Sequence, residues 1–115
     1  MIPLPLMPGS DLYTGTLDLL ILKAVSWGPS HGYAIARWIR ETTSDVLVIQ
    51  EGALYPALHR LERKGLLSEE WRVTETGRQA KFYALTPTGR THLRAERKRW
   101  QQYSGAVARA LATAG

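Results

Sequence analysis

Glu51-Gly-Ala-Leu-Tyr-Pro-Ala-Leu-His-Arg-Leu-Glu-Arg-Lys-Gly65 is the stretch on which the reading of this chain turns. At about 100° per residue, Leu54, Leu58 and Leu61 fall on one narrow stripe, while Gly52, Pro56, His59, Arg60 and Arg63 fall on the opposite arc. The spacing predicts a short helix, apolar inside and basic outside, that starts near Gly52. Proline in a helix interior would remove a backbone bond, so Pro56 is expected in the first turn. Lys64-Gly65 supplies the stop, glycine for the left-handed position after the helix and lysine for the negative end of its dipole.

Outward from this helix, the preceding residues predict two more. One runs from about Gly15 to Ser26, with Leu17, Leu20, Ile21 and Ala24 on one face and Leu19 and Leu22 on the other, and Gly28-Pro29 ends it. A helix apolar on both sides either sits at the centre of so small a protein or offers its second face to another chain. The other runs from Ser30, as N-cap, to about Thr42, with Tyr33, Ala36 and Ile39 inward and Trp38 off that face. Val46 to Ile49 forms an extended link. Downstream, Leu67 to Val73 and Gln79 to Leu85 read as a hairpin across a polar turn, with Trp71, Phe82, Tyr83 and Leu85 fastening it to the body. Thr86-Pro87 then opens a last helix that continues into the alanine-rich end. On it Leu93, Trp100 and Val107 recur every seven residues beside Tyr103, a stripe that calls for a partner helix.

The expected fold is therefore mainly α with a small β-hairpin: a winged helix-turn-helix plus a long C-terminal helix. Residues 1–10 read as an arm, 11–86 as the winged unit and 87–115 as a dimerisation helix.

Composition narrows the function. The chain has 115 residues, no cysteine, and histidines only at His31, His59 and His92. Disulfides, thiolate metal sites and cysteine nucleophiles are excluded, and no two histidines share a metal-binding helical spacing. No metal or cofactor is expected. No paired carboxylates, phosphate loop or triad emerge, so an enzyme is not expected. No apolar run approaches the ~18 residues of a membrane span, and the N-terminus, Met1-Ile-Pro-Leu-Pro-Leu-Met-Pro-Gly9, lacks the features of an export signal. A cytoplasmic location, with no membrane partner, is the expectation.

Lys and Arg number 15 against 10 Asp and Glu, and 11 of those cations lie between Arg60 and Arg99. A basic second half that includes a helix with a basic arc and a hairpin fits double-stranded DNA as partner. In such a unit the third helix enters the major groove and the hairpin follows the backbone. His59 and Arg60 would read base edges or hold phosphates, Arg63 and Lys64 would hold phosphates, and Arg78 and Lys81 would extend the contact from the wing. Tyr33, Tyr55 and Pro56 border the same surface, and His31 reads as a capping or packing residue. A protein-interaction adaptor built on the same helices, without specific DNA binding, is the alternative.

The segments Gly15-Thr-Leu-Asp-Leu-Leu-Ile-Leu22, His31-Gly-Tyr33, Leu54-Tyr-Pro-Ala-Leu-His-Arg-Leu61, Lys81-Phe-Tyr83 and Leu85-Thr-Pro-Thr-Gly89 together resemble the PadR family of bacterial transcriptional regulators. The likeness spans nearly the whole chain, and the length resembles the subfamily with a single C-terminal helix. Two positions depart from it. Ala53 stands where members commonly carry serine or threonine, and Gln79 where a basic residue is usual. The resemblance implies a homodimeric repressor joined through its first and last helices, here through Leu19, Leu22, Leu93, Trp100 and Val107. It also implies relief by a planar aromatic small molecule, for which Trp100 and Tyr103 are the candidate site.

Overall fold

The computed structural model describes residues 10–114, with side chains from Gly15 onward. Helix α1 spans Ser10–Ala24 and tightens into a 3-10 turn over Val25–Trp27. It begins earlier than the apolar pattern implied, because no proline follows Pro8 until Pro29. The arm expected over residues 1–10 lies outside the described residues except for Ser10, which is helical.

A two-residue strand β1, Ser30–His31, leads into α2, Gly32–Thr42, and α3 follows at Glu51–Arg63. The hairpin consists of β2, Leu67–Val73, and β3, Gln79–Leu85, with the bounds the sequence pattern indicated. Helix α4, Pro87–Ala112, completes the chain. The three strands form an antiparallel sheet in the order β1-β3-β2, with Ser30 opposite Tyr83 and Leu67 opposite Leu85. Strand β1 was not foreseen, since two residues are too few to show an alternation.

The cap of α2 falls one residue later than Ser30. His31 takes it, its Nδ1 accepting from the Ala34 amide at 3.2 Å, while Ser30 is committed to the sheet. Ile39 is buried as expected, with Ile35 beside it, whereas Tyr33 is 66% exposed, contrary to the expected inward Tyr33. Trp38 packs partly buried against the core.

The core gathers Ile21 and Val25 of the first helical segment, Ile35 and Ile39 of α2, and Leu54, Ala57, Leu58 and Leu61 of α3, closed by Tyr83 of the sheet. Helix α1 is central, touching α2, α3 and α4. Leu22 is thus only 1% exposed within one chain, and Leu93 of α4 only 8%. Neither is the unpartnered surface residue that the sequence pattern implied. Trp71 also departs from expectation, lying 62% exposed on the wing rather than fastening it.

Two junctions position the elements around α3. Its C-terminus closes with the Gly65 amide donating to the Glu62 carbonyl at 2.9 Å and Leu66 to Leu61 at 3.0 Å, Gly65 adopting φ 75° as a left-handed terminator. Thr86 then stitches this turn to α4. Its hydroxyl donates to the Gly65 carbonyl at 2.7 Å and accepts from the Gly89 amide at 2.9 Å, which makes it the expected N-cap. Gly89 is buried there, and a Cβ on it would collide with the Leu66 carbonyl oxygen, so no side chain fits.

Candidate nucleic-acid interface

Helix α3 presents one face to the core and the opposite face to solvent. Leu54, Ala57, Leu58 and Leu61 are buried; Gly52, Tyr55, Pro56, His59 and Arg63 are exposed. Pro56 falls in the second turn rather than the first, because the helix begins at Glu51. Its ring lies on the exposed arc, and the backbone bond it forgoes would have gone to the carbonyl of exposed Gly52, within reach of water.

Arg60 is not on that arc. It stands on the shoulder of the buried stripe, and its guanidinium turns to α1, Nη2 donating to Asp18 Oδ1 at 2.5 Å and Nε to Oδ2 at 3.4 Å. Both side chains are largely covered, 29% and 17% exposed. The expected base-reading arginine is thus held by a carboxylate of its own chain. On the other shoulder, Glu62 accepts from Lys81 Nζ of β3 at 3.2 Å, and the same ammonium lies 3.3 Å from Glu69 of β2. Lys81 is therefore not an unpaired wing cation either. Burial pulls its pKa down, but the hydrogen bonds to Glu62 and Glu69 outweigh this and hold it above the ordinary lysine value. Periodicity missed both pairs because the partners come from distant segments.

The last turn of α3 is thereby braced on two sides, and the arc between the braces faces outward. A cleft of about 430 Å³ opens beside it, lined by Tyr33, Tyr55, His59, Thr74, Lys81 and Tyr83 among others. Tyr55 lies across Gly32, where a Cβ would come within 2.7 Å of its hydroxyl, so a side chain there would displace the tyrosine ring from this position. Tyr33 stacks on His31 with centroids 6.4 Å apart, and His31 meets Phe82 edge-on at 5.3 Å. Burial raises the Tyr83 pKa, so its phenol stays protonated under ordinary conditions.

The exposed cations around this surface include Arg63 and Lys64 at the end of α3, Arg78 at the wing turn, and Arg37 and Arg40 on α2. Sequence reasoning passed over Arg37. Its guanidinium lies 5.6 Å from the Tyr33 ring, and the four-residue spacing of Tyr33 and Arg37 on one helix was the available signal. The wing turn is closed by the Thr74 amide donating to the Arg78 carbonyl at 2.7 Å, with Gly77 at φ 85°.

Away from this surface, the outer part of α4 carries Trp100 and Val107, partly exposed, and Leu111, 81% exposed. Trp100 and Tyr103 stand 5.9 Å apart at 46°. Leu19 is partly buried and packs on the core. Among the described residues, no cluster of histidine and carboxylate groups could hold a metal ion, and no helix is long and apolar enough to cross a membrane.

A helix with one buried and one solvent-facing side, braced against a two-stranded wing and followed by a long helix, defines a winged-helix protein. Residues 21–95 match the family model described as the transcriptional regulator PadR-like family, and the chain belongs to that family. A solved transcriptional regulator from Clostridium thermocellum superposes with a TM-score of 0.77 at 30% identity, covering 86% of this chain and 96% of its own. A PadR family transcriptional regulator from Eggerthella lenta gives 0.74 at 31% identity, covering 90% and 88%. In Mycobacterium tuberculosis, the transcriptional regulator Rv3488 is 42% identical over 59 residues, 51% of this chain and 54% of the relative.

Proposed function

We propose that this transcriptional regulator is a sequence-specific DNA-binding repressor that works as a homodimer, with α3 in the major groove and the wing along the adjacent backbone. The observation that carries this reading is the outward arc of α3. Pro56, His59 and Arg63 stand exposed on a helix whose other face is fixed in the core, while Tyr33, Arg37, Lys64 and Arg78 border it with groups suited to phosphate. Its dimer contact is the outer stripe of α4, Trp100, Val107 and Leu111, together with Leu19 of α1. Trp100 and Tyr103 offer rings on which a planar aromatic effector could stack.

The test is selection of bound fragments from the source genome, followed by titration of the selected duplex and a random duplex at several salt concentrations. The reading requires one dimer per site, two half-sites ~34 to 36 Å apart, and an affinity that falls steeply with salt. Equal affinity for selected and random duplexes, or none for either, would favour the adaptor. Planar aromatic compounds that leave both tryptophan fluorescence and operator affinity unchanged would remove the effector.

A further inference from the structure

We propose that Asp18 is a positioning residue for DNA reading. Through Arg60 it fixes the rotational setting of α3 on α1, although Asp18 itself touches no DNA. This inference rests on the DNA-reading function proposed above and names one residue on which that function depends.

The argument begins with what the core can and cannot specify. Leu54, Ala57, Leu58 and Leu61 hold α3 against the body through apolar contact, which is non-directional. A stripe of aliphatic side chains seats the helix in the core but makes no directional contact at its edges, where Arg60 and Glu62 stand. A planar guanidinium held by both carboxylate oxygens is directional, because two nitrogens must meet two oxygens in one plane. Arg60 makes this two-point contact with a residue 42 positions away. Arg60 and the buried leucines belong to the same rigid helix, so the angle fixed at Arg60 is also the angle at which His59 and Arg63 leave the surface.

Burial strengthens the case. The pair is more covered than the exposed ion pairs Arg40–Asp45 and Arg72–Glu70, so solvent screens it less. Neutralising Asp18 leaves a half-buried guanidinium without its anion. That cation then turns to water, and the directional tie between α3 and α1 is lost.

The experiment compares Asp18→Asn, Arg60→Gln and the double variant in the full chain, titrated against the selected operator and a random duplex. Each single change is expected to weaken operator binding about tenfold, and the double change no further, because either one removes the same contact. Random-duplex affinity and salt slope are expected to stay as in the unmodified protein, since no phosphate contact is lost. Asp18→Glu, which keeps the charge, recovers part of the operator affinity. Without DNA, Asp18→Asn raises amide exchange in the last turn of α3 and leaves α2 unchanged.

An unchanged operator affinity in Asp18→Asn, with relaxed preference at one base position in Arg60→Gln, would make Arg60 the base reader and overturn the proposal. So would joint loss of operator and random binding with a lowered melting midpoint, which is loss of fold. If the unmodified protein does not distinguish operator from random duplex, the DNA-reading function fails first and this inference falls with it. If it does distinguish them and Asp18→Asn is silent, only this inference fails.

Discussion

Lys81, on the returning strand of the wing, reaches across to Glu62 on α3 at 3.2 Å while standing 3.3 Å from Glu69 on the neighbouring strand. One ammonium thus joins the helix to both strands of the hairpin. A cation placed by sequence at the wing edge acts as an internal brace.

Lys81 and Arg78 should therefore behave differently when removed. Arg78→Ala is expected to weaken selected and random duplexes alike and reduce the salt slope by about one. Lys81→Ala leaves two carboxylates facing each other, so it should loosen the wing and lower operator affinity with the slope unchanged. Titrations across a range of salt concentrations measure both. Matching slope changes in the two variants would return Lys81 to the phosphate-contacting group.

The same brace gives stability a dependence on acid. Glu69 is held below its ordinary carboxyl value first by Glu62, which keeps the proton when the two carboxyl groups share one, and then by the hydrogen bond from Lys81. A depressed folded-state value stabilises fully above the unfolded carboxylate value, ~4.3, and that contribution disappears as pH falls through the lower folded value. The melting midpoint of Glu69→Gln should accordingly lie below that of the unmodified protein at neutral pH and converge with it in acid. Two parallel curves from pH 7 to 3 would contradict this.

Gly89→Ala should be among the most damaging single-methyl changes available. The new carbon would press on the Leu66 carbonyl, a backbone atom that no rotamer change can move and that already accepts from the Thr86 amide at 3.1 Å. Overpacking of this kind costs ~1 to 3 kcal/mol. Gly105→Ala is the control: its nearest neighbour is the end of the Arg109 side chain at 3.5 Å, and the helix should gain ~0.5 to 1 kcal/mol. Urea unfolding of both variants provides the comparison.

If α4 mediates self-association, Trp100→Glu should shift the protein towards monomer while leaving its helical content intact. Trp100 is partly exposed in the single chain, so its replacement disturbs no core contact. Light scattering at micromolar concentration reads the mass. A stable monomer before substitution removes the dimer altogether.

The sequence was most informative where one element's own periodicity decides its environment. The Leu54, Leu58 and Leu61 stripe, the hairpin bounds and the Thr86-Pro87 helix start all stand in the structure as the pattern implied. Residues at the edge of a pattern were not legible. Arg60 and Glu62 flank the buried stripe, where a helical wheel cannot say whether a charge points to solvent or to another segment. Their partners, Asp18 and Lys81, are 42 and 19 residues away. Leu22 and Leu93 were misread for a related reason. Their faces looked unpartnered element by element, yet α1 and α4 cover each other within one chain.

The stitch at Thr86 makes α4 a lever. Its 26 residues extend ~39 Å at 1.5 Å per residue, and its near end is clamped to the turn that terminates α3 through the Gly65 carbonyl. With the fulcrum there, a tilt of ~5° at Gly89 moves the far end by ~3 Å, a displacement comparable to a small side chain. The reverse also holds. A displacement of that size at Leu111 corresponds to only a few degrees at the Gly89 junction, and the packing of Leu93 in the core and of α4 on α1 resists it.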